Sequence, residues 1–160
     1  MNEKHTISCL VENHFGVLAR VAGLISARGF NIDSLTVSAT EDPTVSRMTI
    51  VVDADAIKLE QVKRQLDRLI DVIGVTELSE GKFIDRELLL ARVKNVGNEH
   101  VELERLVQST PGAKIAARSP GSCVVEAIGD TNMLDQFVEQ LRAYGIEKLV
   151  RTGRVALEKE

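Results

Sequence analysis

The chain has 160 residues, 44% hydrophobic and 28% charged, a balance that suits one or two globular domains. Residues 1–80 hold 8 Lys and Arg against 12 Asp and Glu and residues 81–160 hold 12 against 12, so neither half is basic enough to follow a phosphate backbone. No apolar run approaches the ~20 residues of a membrane helix and no charged-then-apolar leader opens the chain, which argues against insertion and secretion and for a cytoplasmic protein.

The first half reads strand, helix, strand, strand, helix, strand. His5 to Val11 alternates and is rich in β-formers. Val17, Leu18, Val21, Leu24 and Ile25 then recur at helical spacing, and Gly29 stands where a helix C-terminus needs a residue of positive φ. Strands are expected at Ile32 to Ala39 and Arg47 to Asp53, around the turn-rich stretch Thr40-Glu41-Asp42-Pro43-Thr44. Leu59, Val62, Leu66, Leu69 and Ile73 predict a second helix, and Val75 to Leu78 a closing strand.

The second half repeats this order. A strand is expected at Glu87 to Lys94 and a helix at Glu99 to Gln108, ended by Pro111-Gly112. Strands follow at Lys114 to Arg118 and Cys123 to Ile128, joined through Ser119-Pro120-Gly121-Ser122. Asp130 or Thr131 caps a helix carrying Leu134, Phe137, Val138 and Leu141, and a single last strand is expected from Ile146 to Leu157. The doubled pattern predicts an α+β protein of two tandem ferredoxin-like βαββαβ domains, 1–79 and 83–160, parted at Ser79-Glu80-Gly81-Lys82. With only five aromatics, the cores are built from Val, Ile, Leu and Ala. Cys9 and Cys123 sit in strand-like segments and read as small buried hydrophobes.

Each half is near the size at which one small core is marginal. The plan leaves one sheet face and the sheet edges open, and Arg47, Thr49 and Val51 make the second face of their strand only half polar. Pairing with another copy would cover such edges, so a homodimer is expected.

The densest information lies between Glu12 and Leu35. A polar turn, Asn13-His14-Phe15, closes on Gly16 directly before the first helix, and Gly29-Phe30-Asn31-Ile32 brings a second asparagine to a strand start. Unpaired N–H groups and the positive end of the helix dipole suit a carboxylate there, and Gly16 carries no Cβ to crowd it. An asparagine side chain can serve either the carboxylate or the ammonium of a small amino acid. Taken singly, Asn13, Gly16 and Asn31 read as ordinary turn, helix-start and strand-entry residues; it is their combination that points to a ligand.

The segments L-V-E-N-H-F-G-V-L-A-R-V-A-G-L-I-S-A-R-G-F-N-I-D-S-L, E-D-P-T-V-S-R-M-T-I-V-V and Q-L-D-R-L-I-D-V resemble the small regulatory subunits of acetohydroxyacid (acetolactate) synthase, over essentially the whole chain. The resemblance implies that the first half is an ACT domain. It implies a non-catalytic partner of a large catalytic subunit that uses thiamine diphosphate, Mg²⁺ and usually FAD, none of them held by this chain. It also implies activation of that subunit and feedback inhibition by valine bound between two ACT domains. Matched by position, Asn13, Gly16, Val17 and Leu18 form one wall of the valine site, and Asn31 and Ile32 form the opposing wall.

No catalytic residue and no metal ligand set is expected. His5, His14 and His100 are scattered, and Asp53 and Asp55 read as solvated carboxylates. The loop Glu41 to Arg47 is a candidate for docking on the catalytic subunit. A stand-alone tandem-ACT amino-acid sensor acting on another protein is the alternative reading. An RNA-binding role for this topology would need aromatics on the central strands, which carry Ile7, Cys9, Thr49 and Val51 instead. The second half has Asn95-Val96-Gly97-Asn98 in place of an N-x-x-G turn, so a protein-contacting role is expected for it.

Overall fold

The computed structural model describes residues 3–78, 81–94 and 99–159. Both halves show the expected βαββαβ order. The first contains β1 (Glu3–Glu12), α1 (Val17–Ala27), β2 (Ile32–Ala39), β3 (Val45–Ala54), α2 (Ala56–Leu66) and β4 (Val72–Leu78). The second contains β5 (Phe83–Lys94), α3 (Glu99–Ser109), β6 (Ala113–Ser119), β7 (Ser122–Gly129), α4 (Thr131–Leu141) and β8 (Ile146–Arg151), and β9 (Val155–Glu158) ends the chain. The sheets run β2-β3-β1-β4 and β6-β7-β5-β8, the same antiparallel order twice, and β9 pairs with β5 as a fifth strand of the second sheet.

In the first unit, alternation sends Ile7, Cys9 and Val11 of β1 and Met48, Ile50 and Val52 of β3 to one face. There they pack with Val17, Val21 and Ile25 of α1 and Leu59, Val62 and Leu66 of α2. Gly29, at φ 75°, ends α1 in a Schellman arrangement: its N–H donates to Ser26 O and that of Phe30 to Ile25 O. Asp55 caps α2 by accepting from the N–H of Lys58 at 2.9 Å, so this carboxylate has a structural role. In the second unit the core gathers Leu89, Ala91, Val93, Leu103, Val125, Leu134, Phe137 and Leu141. Of the two expected caps for α4, Asp130 is the one used; its side chain accepts from the N–H of Met133. Both cysteines are buried free thiols, and burial followed by the nearby Asp67 charge pushes Cys9 up to about 11.

Two expectations are corrected. Ile73 is not part of α2. The helix stops at Leu66, a chain of turns through Leu69 and Val72 follows, and Ile73 lies in β4 with its side chain exposed. The carbonyl of Asp71 accepts from the N–H of Glu12 at 2.8 Å, which draws this segment onto the sheet. The last strand is two strands, because Gly153 at φ 85° breaks the stretch into β8 and β9.

By packing, the chain to Ile84 together with Arg154 onward forms one compact unit and Asp85–Gly153 forms the other. Arg154 explains the return. Its N–H donates to Ser34 Oγ at 3.0 Å, its carbonyl accepts from Thr36 Oγ1 at 2.7 Å, and its Nη1 donates to Thr6 Oγ1 at 2.6 Å. Thr49 and Val51, on the sheet face away from the helices, are 3% and 4% exposed. The chain therefore covers part of this face itself, where sequence reasoning called for a second copy. Residues Ser79 and Glu80 of the expected boundary and the Asn95–Asn98 turn lie outside the described residues, as does the His100 side chain.

Candidate functional site at the start of the first helix

The turn before α1 is held from two sides. The N–H of Asn13 donates to Thr44 O at 2.7 Å and its Nδ2 to Pro43 O at 2.8 Å, tying the turn to the β2–β3 loop. Asp42 shapes that loop by accepting from both the N–H and the hydroxyl of Thr44, which lowers its pKa. On the other side His14 meets Asp71. Its Nδ1 faces Phe15 O at 3.1 Å, and its Nε2 faces Asp71 Oδ1 at 3.1 Å and Glu12 Oε2 at 3.2 Å. Since both ring nitrogens face acceptors, satisfying them together needs an imidazolium. The Phe15 carbonyl, then the Asp71 and Glu12 carboxylates, raise the pKa of His14 against a desolvation effect that lowers it.

Gly16 is the N-cap of α1, with φ 85° and ψ −16°, a left-handed conformation that glycine adopts readily. No side chain caps this helix, and its first turn holds no acidic residue. The first helical bond runs from the N–H of Arg20 to Gly16 O at 3.0 Å. The N–H groups of Val17, Leu18 and Ala19 precede it and have no acceptor among the described residues. Donors and dipole thus converge on one exposed point, an arrangement suited to an anion.

Arg20 extends the donor set. A Cβ built on Gly16 would lie 3.2 Å from Arg20 Nη1, so the guanidinium reaches back over the helix start. Its Nε donates to Asp71 Oδ2 at 2.6 Å, and this bond holds the Asp71 carboxyl below the usual range. Sequence reasoning missed Arg20 and Asp71. Arg20 stands four residues after Gly16, on the same helical face, which is a readable signal. The Asp71 contact spans 51 residues and has none.

The six residues expected at the site divide in the structure. Gly16 and Leu18 are exposed at the helix start, Leu18 by 46%, whereas Val17 is 2% exposed and packs in the core. What Val17 offers at the surface is its N–H. Asn31 is exposed and its Nδ2 donates to Asp33 Oδ1 at 2.9 Å, while half-buried Ile32 packs against the core. Asn31 and Ile32 stand at the start of β2, an edge strand with one face of its backbone unpaired. Glu12, His14 and Asp71 form a cluster of metal-ligand type that histidine spacing did not reveal, and Arg20 supplies its internal cation.

A βαββαβ unit of this strand order, with an uncapped glycine turn at its first helix and an open edge strand beside it, defines an ACT-type regulatory domain. The family signature described as "AHAS small subunit-like ACT domain" matches residues 7–74, and "Small subunit of acetolactate synthase" matches residues 86–160. The chain is 47% identical to the probable acetolactate synthase small subunit of Archaeoglobus fulgidus, over 96% of each chain. It is 41% identical to the acetolactate synthase small subunit of Haemophilus influenzae, over 98% of this chain and 96% of the relative. The crystal structure of the Thermotoga maritima acetolactate synthase small subunit superposes with a TM-score of 0.89 at 32% identity, covering 99% of this chain and 98% of that one. The chain belongs to the acetolactate synthase small-subunit family.

Proposed function

We propose that this chain is a non-catalytic, cytoplasmic regulatory subunit that activates a thiamine-diphosphate-, Mg²⁺- and FAD-dependent acetolactate synthase catalytic subunit and makes it sensitive to valine. The uncapped start of α1 is the observation that carries the valine reading. In it the carboxylate of valine rests on the N–H groups of Val17 and Leu18 beside Gly16, within reach of Arg20. Its ammonium meets the Oδ1 of Asn13, which no described residue occupies, and its isopropyl group lies against Leu18.

The opposing wall, Asn31 and Ile32, comes from a second copy paired along the β2 edge. A ligand held by two chains favours one dimer geometry, and the catalytic subunit responds to that geometry. Couplings of this kind are worth about 1–3 kcal/mol, or several-fold to about hundred-fold in apparent affinity. The test is direct: acetolactate formation by the catalytic subunit alone, with this chain, and with this chain plus valine. The reading expects a rise on adding the chain and a fall on adding valine. Valine binding to the chain without any effect on the enzyme would instead favour a stand-alone sensor.

A further inference from the structure

A cavity of about 300 Å³ lies in the first unit, on the sheet face away from the helices. Its floor is the outward row of β2 and β3, with Thr36 paired to Thr49 and Ser38 to Arg47, and β9 forms its wall through Val155 and Leu157. The size falls at the small end of ligand pockets, ~300–1,000 Å³.

Arg47 is the informative residue. It is half-buried, its Nη1 donates to Ser8 Oγ at 2.8 Å, and it forms no ion pair among the described residues. Glu41 lines the same cavity without pairing to Arg47. Thr49, only 3% exposed, lines the same cavity beside it. A half-buried guanidinium without a counter-ion retains donors for a ligand, and a planar carboxylate matches its fork. The apolar side chains of β9 stand across the same space.

We infer that this cavity is a second ligand site, for a short-chain α-carboxylate with an apolar tail, with Arg47 binding the carboxylate and Val155 and Leu157 the tail. The site is separate from the start of α1 and stands whether or not valine binds there. Glu41 could receive an ammonium, so the acid is either a 2-amino or a 2-oxo acid, and the test separates the two.

The full chain carrying Gly16→Asp, which places a carboxylate in the first site, is titrated with L-norvaline, 2-oxopentanoate and 1-pentanol while Val, Leu and Thr methyl resonances are followed by NMR. Saturable shifts at Thr36, Thr49, Val155 and Leu157 with one or both acids, and none with the alcohol, support the site. Norvaline alone identifies an amino acid, and the oxo acid alone or both acids identify the carboxylate as sufficient. Arg47→Gln should weaken binding about tenfold or more, with Arg47→Lys between it and the parent. Absence of acid-induced shifts at these methyls, equal shifts with pentanol, or undiminished binding by Arg47→Gln with its spectrum otherwise preserved overturns the proposal. A loss of enzyme docking in Arg47→Gln without acid binding to the parent would overturn it too, in favour of a carboxylate supplied by the catalytic subunit.

Discussion

Arg20 on the first helix and Asp71, 51 residues later, meet through a 2.6 Å Nε–Oδ2 hydrogen bond, and His14 reaches the other oxygen of the same carboxylate. One nearly buried carboxylate thereby links the helix, the turn in front of it and the segment leading into β4. Charge signs fix its pH behaviour. The folded pKa of Asp71 is lowered, so its contribution is present above the ordinary value of 3.8 and fades as pH falls through the folded value. That of His14 is raised, so its contribution is complete below the ordinary value of 6.5 and fades as pH rises through the folded value. The three groups are therefore best paired between about pH 3.8 and 6.5. The difference in unfolding midpoint between the parent and His14→Gln should be largest in this window and shrink above it. In Asp71→Asn the His14 ring, followed by NMR, should titrate at lower pH than in the parent.

Gly16→Asp should abolish inhibition by valine while leaving activation of the catalytic subunit. It sets a carboxylate over the N–H groups that the ligand's acid would use, beside Arg20. A non-glycine residue at φ 85° carries strain of about 1–2 kcal/mol. Gly16→Ala therefore serves as the control for strain without charge, and should retain more valine response. Acetolactate assays with and without valine read both variants, and full sensitivity in Gly16→Asp would place the site elsewhere.

A site shared between two copies makes a stronger demand. Asn31→Ala should weaken the valine response about tenfold, a loss typical of a hydrogen bond to a charged group. In a dimer mixing Gly16→Asp with Asn31→Ala chains, one of the two sites regains both native walls. Mixed preparations should thus recover part of the valine binding that each variant lacks alone, measured by calorimetry. No recovery would mean that both walls belong to one chain.

Phe137→Ala, in the core of the second unit, should cost about 3–5 kcal/mol in urea unfolding. Gly112→Ala should also be strongly destabilising, for a different reason. At φ 76° its Cβ would stand 2.2 Å from the carbonyl oxygen of Ile128, whose N–H donates to Gly112 O. Valine binding at the first unit should survive either change wherever the chain remains folded.

Cys9, pushed up to about 11 by burial, should resist alkylation by iodoacetamide at pH 8 in the folded chain and react promptly in urea. Fast labelling of native protein would show that β1 opens readily.

The periodicities of residues 5–78 and 87–151 were enough to place seven of the eight expected strands and all four helices, because each element must bury one face and announces it by spacing. Gly29 stopped α1 where it should, and Asn13, Gly16 and Asn31 were visible as a turn, a helix start and a strand entry. What the sequence left open involves contacts that have no period. Asp71 reaches Arg20 and His14, and Arg154 returns to Thr6, Ser34 and Thr36, only because the sheet brings distant residues together. Ile73 has helical spacing from Leu69 yet joins β4, since α2 has already ended at Leu66 and the Asp71 carbonyl accepts from Glu12 of β1. Local pattern determined the elements, their order and the glycine at the helix start. Tertiary structure alone decided which side chains surround that start, and that the last strand of the chain closes over the first sheet.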